Sequence, residues 1–82
     1  MTAQTDKNDD RDDIYASILS FAKEGASKKD IADALSISYQ QLRRLTAELV
    51  DRDMLRLDVK KRVFVTTYKG HVFLQSRKAR DV

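Results

Sequence analysis

The sequence predicts a small domain that is mainly α-helical with one short β-hairpin (α+β). Apolar residues recur at helical spacing from Ile14 to Leu49, which indicates helices. From Leu55 onward, apolar and polar residues alternate, as they do in a half-buried strand. A helical pattern returns after Thr67. The 82 residues are enough for one domain around one core.

The first helix is expected to run from about Asp10 to Glu24. Ile14, Ile18 and Phe21 form its apolar stripe. Gly25 follows, and glycine is the residue type that most often comes after a helix C-terminus. The stripe indicates a helix that braces the core and carries no chemistry of its own.

Two short helices with separate start signals follow between Ser27 and Arg52. Ser27 stands three residues before Asp30, and Ser38 stands three residues before Gln41. A serine with such a partner caps a helix N-terminus through hydrogen bonds to the first amides. Because the connection between the two helices is so short, they must cross sharply. This is the helix-turn-helix arrangement, whose second helix lies in the major groove of DNA.

The apolar positions of these two helices define the faces that we expect to be buried. These positions are Ile31, Ala34 and Leu35 in the second helix and Leu42, Leu45 and Leu49 in the third. The third helix is expected to end near Arg52. Asp53 can then adopt the left-handed conformation, which aspartate tolerates better than most residues.

A β-hairpin is expected next. Leu55, Leu57 and Val59 should lie on the core side of its first strand, because polar residues alternate with them. The second strand covers residues 63–67, which are rich in β-branched and aromatic side chains. The polar tip between the strands, called the wing tip below, consists of Lys60, Lys61 and Arg62.

A last helix is expected from Tyr68 to about Lys78, with Thr67 as its N-cap. The order of elements is then helix, helix, helix, hairpin, helix. A three-helix core, a two-stranded wing and a C-terminal helix make a winged helix-turn-helix.

Charge is distributed unevenly along the chain. Residues 1–13 carry five Asp against Lys7 and Arg11, a balance of −3. Residues 14–82 carry fourteen Lys and Arg against eight Asp and Glu, a balance of +6. Acidic segments with few apolar residues are typically disordered. We therefore expect residues 1–10 to be an acidic disordered tail and residues 11–80 to form the winged helix-turn-helix domain.

The composition argues against several functional classes. With no cysteine and a single histidine, His71, the chain is not expected to form disulfides, a zinc site or a catalytic triad. No stretch approaches the roughly 20 apolar residues that span a bilayer, and the N-terminus lacks the layout of a signal peptide. We expect a cytoplasmic, nucleoid-associated protein that is not an enzyme and uses no cofactor or metal.

Four stretches of the chain carry a family resemblance: residues 14–25, 30–38, 42–55 and 67–74, the last with Thr67 and Gly70 in a Thr-x-x-Gly turn. They resemble the small winged-helix DNA-binding proteins and transcriptional regulators common in archaea. The resemblance implies a winged-helix fold and double-stranded DNA as partner. Two positions depart from the family's pattern. Asp53 stands where glycine is common, and Thr66 stands where an apolar residue is usual.

The resemblance and the side-chain chemistry together assign candidate DNA contacts. Gln40 and Arg44 are expected to read bases, because glutamine pairs with adenine and arginine with guanine. The expected backbone contacts are Lys28, Lys29, Ser38, Tyr39 and Arg43. The wing tip is expected to contact the backbone or the neighbouring minor groove through Lys60, Lys61 and Arg62. Glu48 and Asp51 are also expected to face outward. Since phosphates repel carboxylates, only the N-terminal half of the third helix should enter the groove.

Each assignment has an alternative that the sequence leaves open. Arg43 and Arg44 can be solvated charges on a helix surface. The wing tip can be a charged turn that prevents edge-to-edge strand pairing, and Tyr39 can pack against the helix-turn-helix core.

The function also has alternatives. The leading hypothesis is a DNA-binding transcriptional regulator. A chromosomal protein that binds DNA without sequence preference is an alternative within the same class. A protein-interaction module of a transcription or replication assembly is the rival from another class, since fold does not fix function. A homodimer through Val72, Phe73 and Leu74 is expected, because the last helix is more apolar than its own packing requires.

Overall fold

The computed structural model describes the backbone of residues 3–81 and the side chains of residues 12–77. Its elements, in chain order, are α1 (Ala3–Phe21), α2 (Lys28–Leu35), α3 (Tyr39–Asp51), β1 (Leu55–Asp58), β2 (Val63–Thr66) and α4 (Tyr68–Asp81). The predicted fold class is confirmed, with a helical body and one antiparallel hairpin. Within residues 3–81, no helix is both long and apolar enough to cross a membrane.

The core lies where α1, α2 and α3 meet the base of the hairpin. Its largest fully buried side chains are Tyr15, Ile18, Leu19, Ile31, Leu42, Leu49 and Leu55. Among the described side chains, no buried nitrogen or oxygen atom lacks a hydrogen-bond partner. The three leucines predicted to face inward from α3 are all buried, as the spacing requires.

Helix α1 begins at Ala3, earlier than the expected start near Asp10, and ends at Phe21. No glycine or proline interrupts residues 3–13, but the apolar stripe that guided the prediction starts only at Ile14. The side chains of residues 1–11 lie outside the described part. The division into a tail at residues 1–10 and a domain at residues 11–80 therefore stays a prediction.

Both predicted serine caps are confirmed, but one expectation for α2 is wrong. The Ser27 hydroxyl accepts from the Asp30 amide at 3.1 Å. Ala34 is exposed, and Ala32 is buried in its place. Ile31 lies between these two alanines on the helical wheel, so its position alone leaves either flank available. Packing against the rest of the core selects the Ala32 flank.

The strands of the hairpin pair with Leu55 opposite Thr66 and Leu57 opposite Phe64. The expected burial along β1 is only partly correct. Leu55 is buried at the base, whereas Leu57 is 48 % exposed and Val59, in the turn after β1, is 76 % exposed. The helical body covers the hairpin near its base, so the alternating pattern continues beyond the surface that could bury it.

The junction between the hairpin and α4 is closed by hydrogen bonds. The Thr67 hydroxyl accepts from the Gly70 amide at 3.2 Å and donates to the Asp53 carbonyl at 2.5 Å. The Thr67 amide donates to the Met54 carbonyl at 3.0 Å. Thr67 is thus the N-cap of α4, as predicted, and it also ties that helix to the chain leaving α3. Asp53 has φ +67°, the left-handed conformation expected for it.

Thr66, a departure from the family's usual apolar residue, has a clear structural role. Its buried hydroxyl donates to the Leu19 carbonyl at 2.6 Å. Leu19 lies in the last turn of α1, where carbonyls lack the partners that a continuing helix would supply. The threonine therefore caps α1 from the hairpin.

Thr66→Val is expected to lower the free energy of unfolding by about 1–2 kcal/mol, because it leaves a buried carbonyl without this donor while nearly preserving volume. Urea denaturation followed by circular dichroism measures the change. Thr67→Val is unsuitable as a control, because Thr67 caps α4. Val65→Thr, on the opposite face of β2 and half-buried, is the matched control. Equal stability of Thr66→Val and the natural chain would contradict this role.

Candidate nucleic-acid interface

Helix α3 presents two distinct faces. Leu42, Leu45, Thr46 and Leu49 are buried on its inner face. Gln40, Arg44 and Ala47 lie on the opposite side and are exposed. We call these three residues the outer face of α3. Arg43 is also exposed, on the flank between the two faces.

Ser38 fixes where α3 begins. Its backbone is extended, with φ −75° and ψ 158°, and its hydroxyl oxygen accepts from the Gln41 amide at 3.1 Å. Accepting this bond leaves the hydroxyl proton available for a second partner, since serine can donate and accept at once. The cap places Tyr39 and Gln40 in the first turn. Tyr39 is 55 % exposed and thus lies outside the core. The alternative that this side chain packs against the core is therefore wrong.

Glu48 does not face outward as expected. Its carboxylate accepts a hydrogen bond from the hydroxyl of the buried Tyr15 on α1, and the residue is only half-buried. The Arg52 guanidinium lies over the same tyrosine ring, 5.4 Å from its centroid. Glu48 occupies the flank of α3 that meets α1, where spacing on one helix could not reveal a partner. Asp51 is the acidic residue that is exposed at the C-terminal end of α3.

Lys28 and Lys29 occupy the first two positions of α2 and are exposed. Cations at this end oppose the helix dipole, so they do not favour the helix itself. Asp30, in the same turn, offsets part of this unfavourable interaction. Residue types that disfavour the local structure are typical of functional sites. Two lysines at a helix N-terminus therefore indicate a role such as anion binding.

The wing tip is exposed and shaped by its own backbone. The Lys61 amide donates to the Asp58 carboxylate at 3.2 Å, and Arg62 is left-handed with φ +58°. Lys60, Lys61 and Arg62 are all exposed. Arg62 differs from its two neighbours because it also lines a groove with Lys28 and Lys29.

That groove, called the wing groove below, lies between the hairpin and the start of α2. It is lined by Lys28, Lys29, Leu57, Val59, Arg62 and Phe64, together with the Ser27 cap. The sequence does not reveal this groove, because the alternation of Leu57 and Val59 with polar residues predicts that both are buried in the core. A sequence signal for the groove does exist: the alternating apolar residues continue through Val59, directly before the basic wing tip.

The three residues proposed for dimerisation behave differently from one another. Phe73 and Leu74 are partly buried and pack against the core. Val72 is 46 % exposed. Most of the apolar surface on which the dimer prediction rests is therefore packed within the chain. Of the three residues, Val72 is the exposed one.

Comparison with known proteins agrees with this architecture. A search of curated proteins gave no significant match. A family model described as winged helix-turn-helix matches residues 9–81, which include the three-helix body, the hairpin and α4. The match thus spans nearly the whole chain. The chain belongs to the winged helix-turn-helix family.

Proposed function

We propose that the chain is a transcriptional regulator that binds double-stranded DNA with the N-terminal half of α3 in the major groove. Winged helix-turn-helix domains are a DNA-binding class of fold, which supports DNA as the partner and a binding role rather than catalysis. The observation that carries the proposal is the outer face of α3, where Gln40 and Arg44 are exposed directly opposite the buried leucines. A DNA-binding role would place the protein in the cytoplasm, associated with the nucleoid.

The base contacts follow from side-chain geometry. Arg44 can form two hydrogen bonds to the O6 and N7 atoms of guanine, and Gln40 can do the same with N6 and N7 of adenine. Ala47, next along the outer face, is small enough to let the helix approach the bases. Asp51 lies beyond it and is repelled by phosphates, so the groove contact is confined to the first turns of the helix.

The backbone contacts surround this helix start. Arg43 and Tyr39 are exposed beside the outer face, and the free proton of the Ser38 hydroxyl can be donated to a phosphate oxygen. Lys28 and Lys29 add charge from α2. Lys60, Lys61 and Arg62 add charge from the wing. Such contacts contribute affinity and register but no direct sequence readout.

Selection of the chain against a pool of random duplexes tests the function. A sharp consensus sequence supports a regulator. Tight binding with a flat sequence profile would replace the regulator by a chromosomal protein without sequence preference. No enrichment of duplexes at low salt would contradict DNA binding altogether and favour a protein partner.

Lys61→Ala is expected to weaken binding to all duplexes alike. Each lost phosphate contact should reduce the magnitude of the negative slope of log affinity against log salt concentration by about 0.9. Arg44→Ala should instead relax sequence preference at one position of the consensus. Fluorescence anisotropy titrations at several salt concentrations measure both effects. Loss of sequence preference in Lys61→Ala, with an unchanged salt slope, would contradict the assigned roles.

We propose a homodimer as well, because one winged helix contacts only a short half-site and specificity normally needs two. Val72 and the partly buried Phe73 and Leu74 of α4 are the candidate contact. Sedimentation equilibrium measures the mass directly. A monomer at high micromolar concentration, both free and on a duplex with two half-sites, would exclude this dimer.

A further inference from the structure

The wing groove has an apolar floor that the helices of the chain leave open. Leu57 and Phe64 are opposite each other in the hairpin register and therefore share one face. Phe64 is buried beneath this surface, while Leu57 and Val59 remain exposed. Leu57 is 48 % exposed and Val59 is 76 % exposed. Adjacent exposed apolar residues that continue an inward-facing pattern are typical of an interaction surface.

The rim of the wing groove is cationic. Lys28 and Lys29 line one side, and Arg62 contributes from the hairpin. Among the described side chains, none of these three forms an ion pair with a carboxylate. Their charges are therefore available to a partner that lies over the apolar floor.

Backbone hydrogen bonds hold the rim and the floor in fixed relation. The Ala26 amide donates to the Phe64 carbonyl at 3.0 Å, and the Phe64 amide donates to the Ala26 carbonyl at 2.8 Å. Ala26 immediately precedes the Ser27 cap of α2, so this bridge joins the start of the helix to the hairpin. A preformed groove loses less conformational entropy on binding than a mobile one.

We propose that the wing groove binds an acidic peptide segment of a partner protein, whose apolar side chains lie on Leu57 and Val59. The carboxylates of such a segment complement Lys28, Lys29 and Arg62. Phosphates of DNA would also complement these cations, but a charged phosphate gains no favourable contact from the exposed leucine and valine that lie between them. The combination of charge and apolar surface therefore favours a peptide over nucleic acid.

This interaction goes beyond DNA binding, yet it shares cations with the proposed backbone contacts. A peptide in the wing groove occupies Lys28, Lys29 and Arg62, which then cannot contact phosphates. The partner and the duplex should therefore compete. Competition would make the partner a regulator of DNA binding without any change in the outer face of α3.

The probe is a fluorescein-labelled peptide of about ten residues in which aspartate alternates with leucine and valine. Fluorescence anisotropy should show saturable binding to the full chain. Amide chemical shifts of the labelled chain should change at Leu57, Val59 and Phe64. Two matched peptides should not bind: one has serine in place of the apolar residues, and the other has lysine in place of aspartate.

Val59→Ser should weaken peptide binding at least about fivefold, because it removes apolar contact area at the centre of the groove. The fold is not at risk, since Val59 is the most exposed of the residues that line the groove floor. Val50→Ser is the matched control, an exposed valine near the C-terminal end of α3 that does not line the groove, and should bind the peptide as the natural chain does. Unlabelled duplex DNA should displace the peptide.

Four results would overturn the proposal. They are no saturable binding of the acidic peptide, equal binding of the serine-substituted peptide, unchanged affinity in Val59→Ser, and equal loss in Val50→Ser. If Val59→Ser weakened duplex binding while no peptide bound, the floor would belong to the DNA interface. If the same change abolished self-association, its occupant would be a second copy of the chain.

Discussion

Gly70→Ala is expected to lower the free energy of unfolding by about 2 kcal/mol or more, the range of an overpacked buried site. A Cβ atom at Gly70 would lie 2.4 Å from the Met54 carbonyl oxygen and 2.6 Å from the Thr66 Cγ2 atom. The carbonyl cannot easily move away, because it accepts the Thr67 amide that holds α4 to the hairpin. The start of α4 would have to shift as a unit.

The sign of this effect is informative, because helix preference alone predicts the opposite. Replacing a glycine inside a helix by alanine normally stabilises it by about 1 kcal/mol. Urea denaturation followed by circular dichroism measures the difference. Ser76→Ala, at an exposed position of the same helix, is the control and should change stability by less than about 0.5 kcal/mol. A Gly70→Ala chain as stable as the natural one would contradict the close approach of α4 to Met54.

Replacing both Arg43 and Arg44 by alanine is expected to reduce affinity for the selected duplex by about 10- to 100-fold at low salt. Both side chains are exposed and form no ion pair within the described part of the chain, so their loss should not alter folding. In the proposed binding mode, Arg44 contributes base contacts and Arg43 contributes a phosphate contact. Gel-shift titration measures the loss, and thermal melting checks the fold.

Replacing both Lys23 and Lys69 by alanine is the matched control for the arginine pair, because it also removes two exposed positive charges. Lys69 lies on α4, outside the proposed interface. Lys23 is an exposed cation that lines a groove between α1 and α4, with no part in the proposed interface. Removing both lysines changes the net charge without touching α3. If replacing Lys23 and Lys69 weakened binding as much as replacing Arg43 and Arg44, general charge and not these two arginines of α3 would account for the affinity.

Much of the fold could be predicted from local signals. Ser27 and Ser38 cap their helices because a serine hydroxyl satisfies an otherwise unpaired amide in the same turn, which depends on local sequence alone. The inward leucines of α3 follow from helical period. Asp53 was expected to be left-handed from the preference of aspartate, and it is. In these cases, residues close in sequence decide the outcome.

The remaining features depend on contacts between distant segments. Glu48 pairs with Tyr15, and Thr66 binds the Leu19 carbonyl, 47 residues away in sequence. Neither partner could be identified from periodicity. The Thr-x-x-Gly pattern was recognised by resemblance, but the reason for Gly70 is its approach to Met54.

The candidate interface was predicted with similar limits. To predict the outer face of α3, only the positions of the leucines are needed. Gln40 and Arg44 are exposed where the helical wheel places them. The wing groove required knowing where the helical body ends relative to the hairpin. Sequence alternation predicts which face Leu57 takes, but not whether another element covers it.

The pairing of Glu48 with Tyr15 also changes the reason why the proposed groove contact is confined to the first turns of α3. Glu48 is held by α1, so its position on the flank is part of the packing between the two helices. Asp51 then provides the exposed negative charge that opposes phosphate at the C-terminal end. The restriction therefore rests on one exposed carboxylate and on the docking geometry of helix-turn-helix proteins.

The central claim is that the first turns of α3 contact the bases, and site-specific photocrosslinking tests it most directly. A photoreactive amino acid is placed at Gln40 in one chain and at Asp51 in another, and each is irradiated with saturating duplex. If the first turns of α3 contact the bases, position 40 should crosslink to a base and position 51 should not. A crosslink from position 51, or none from position 40 in a complex shown by gel shift to have formed, would contradict this claim.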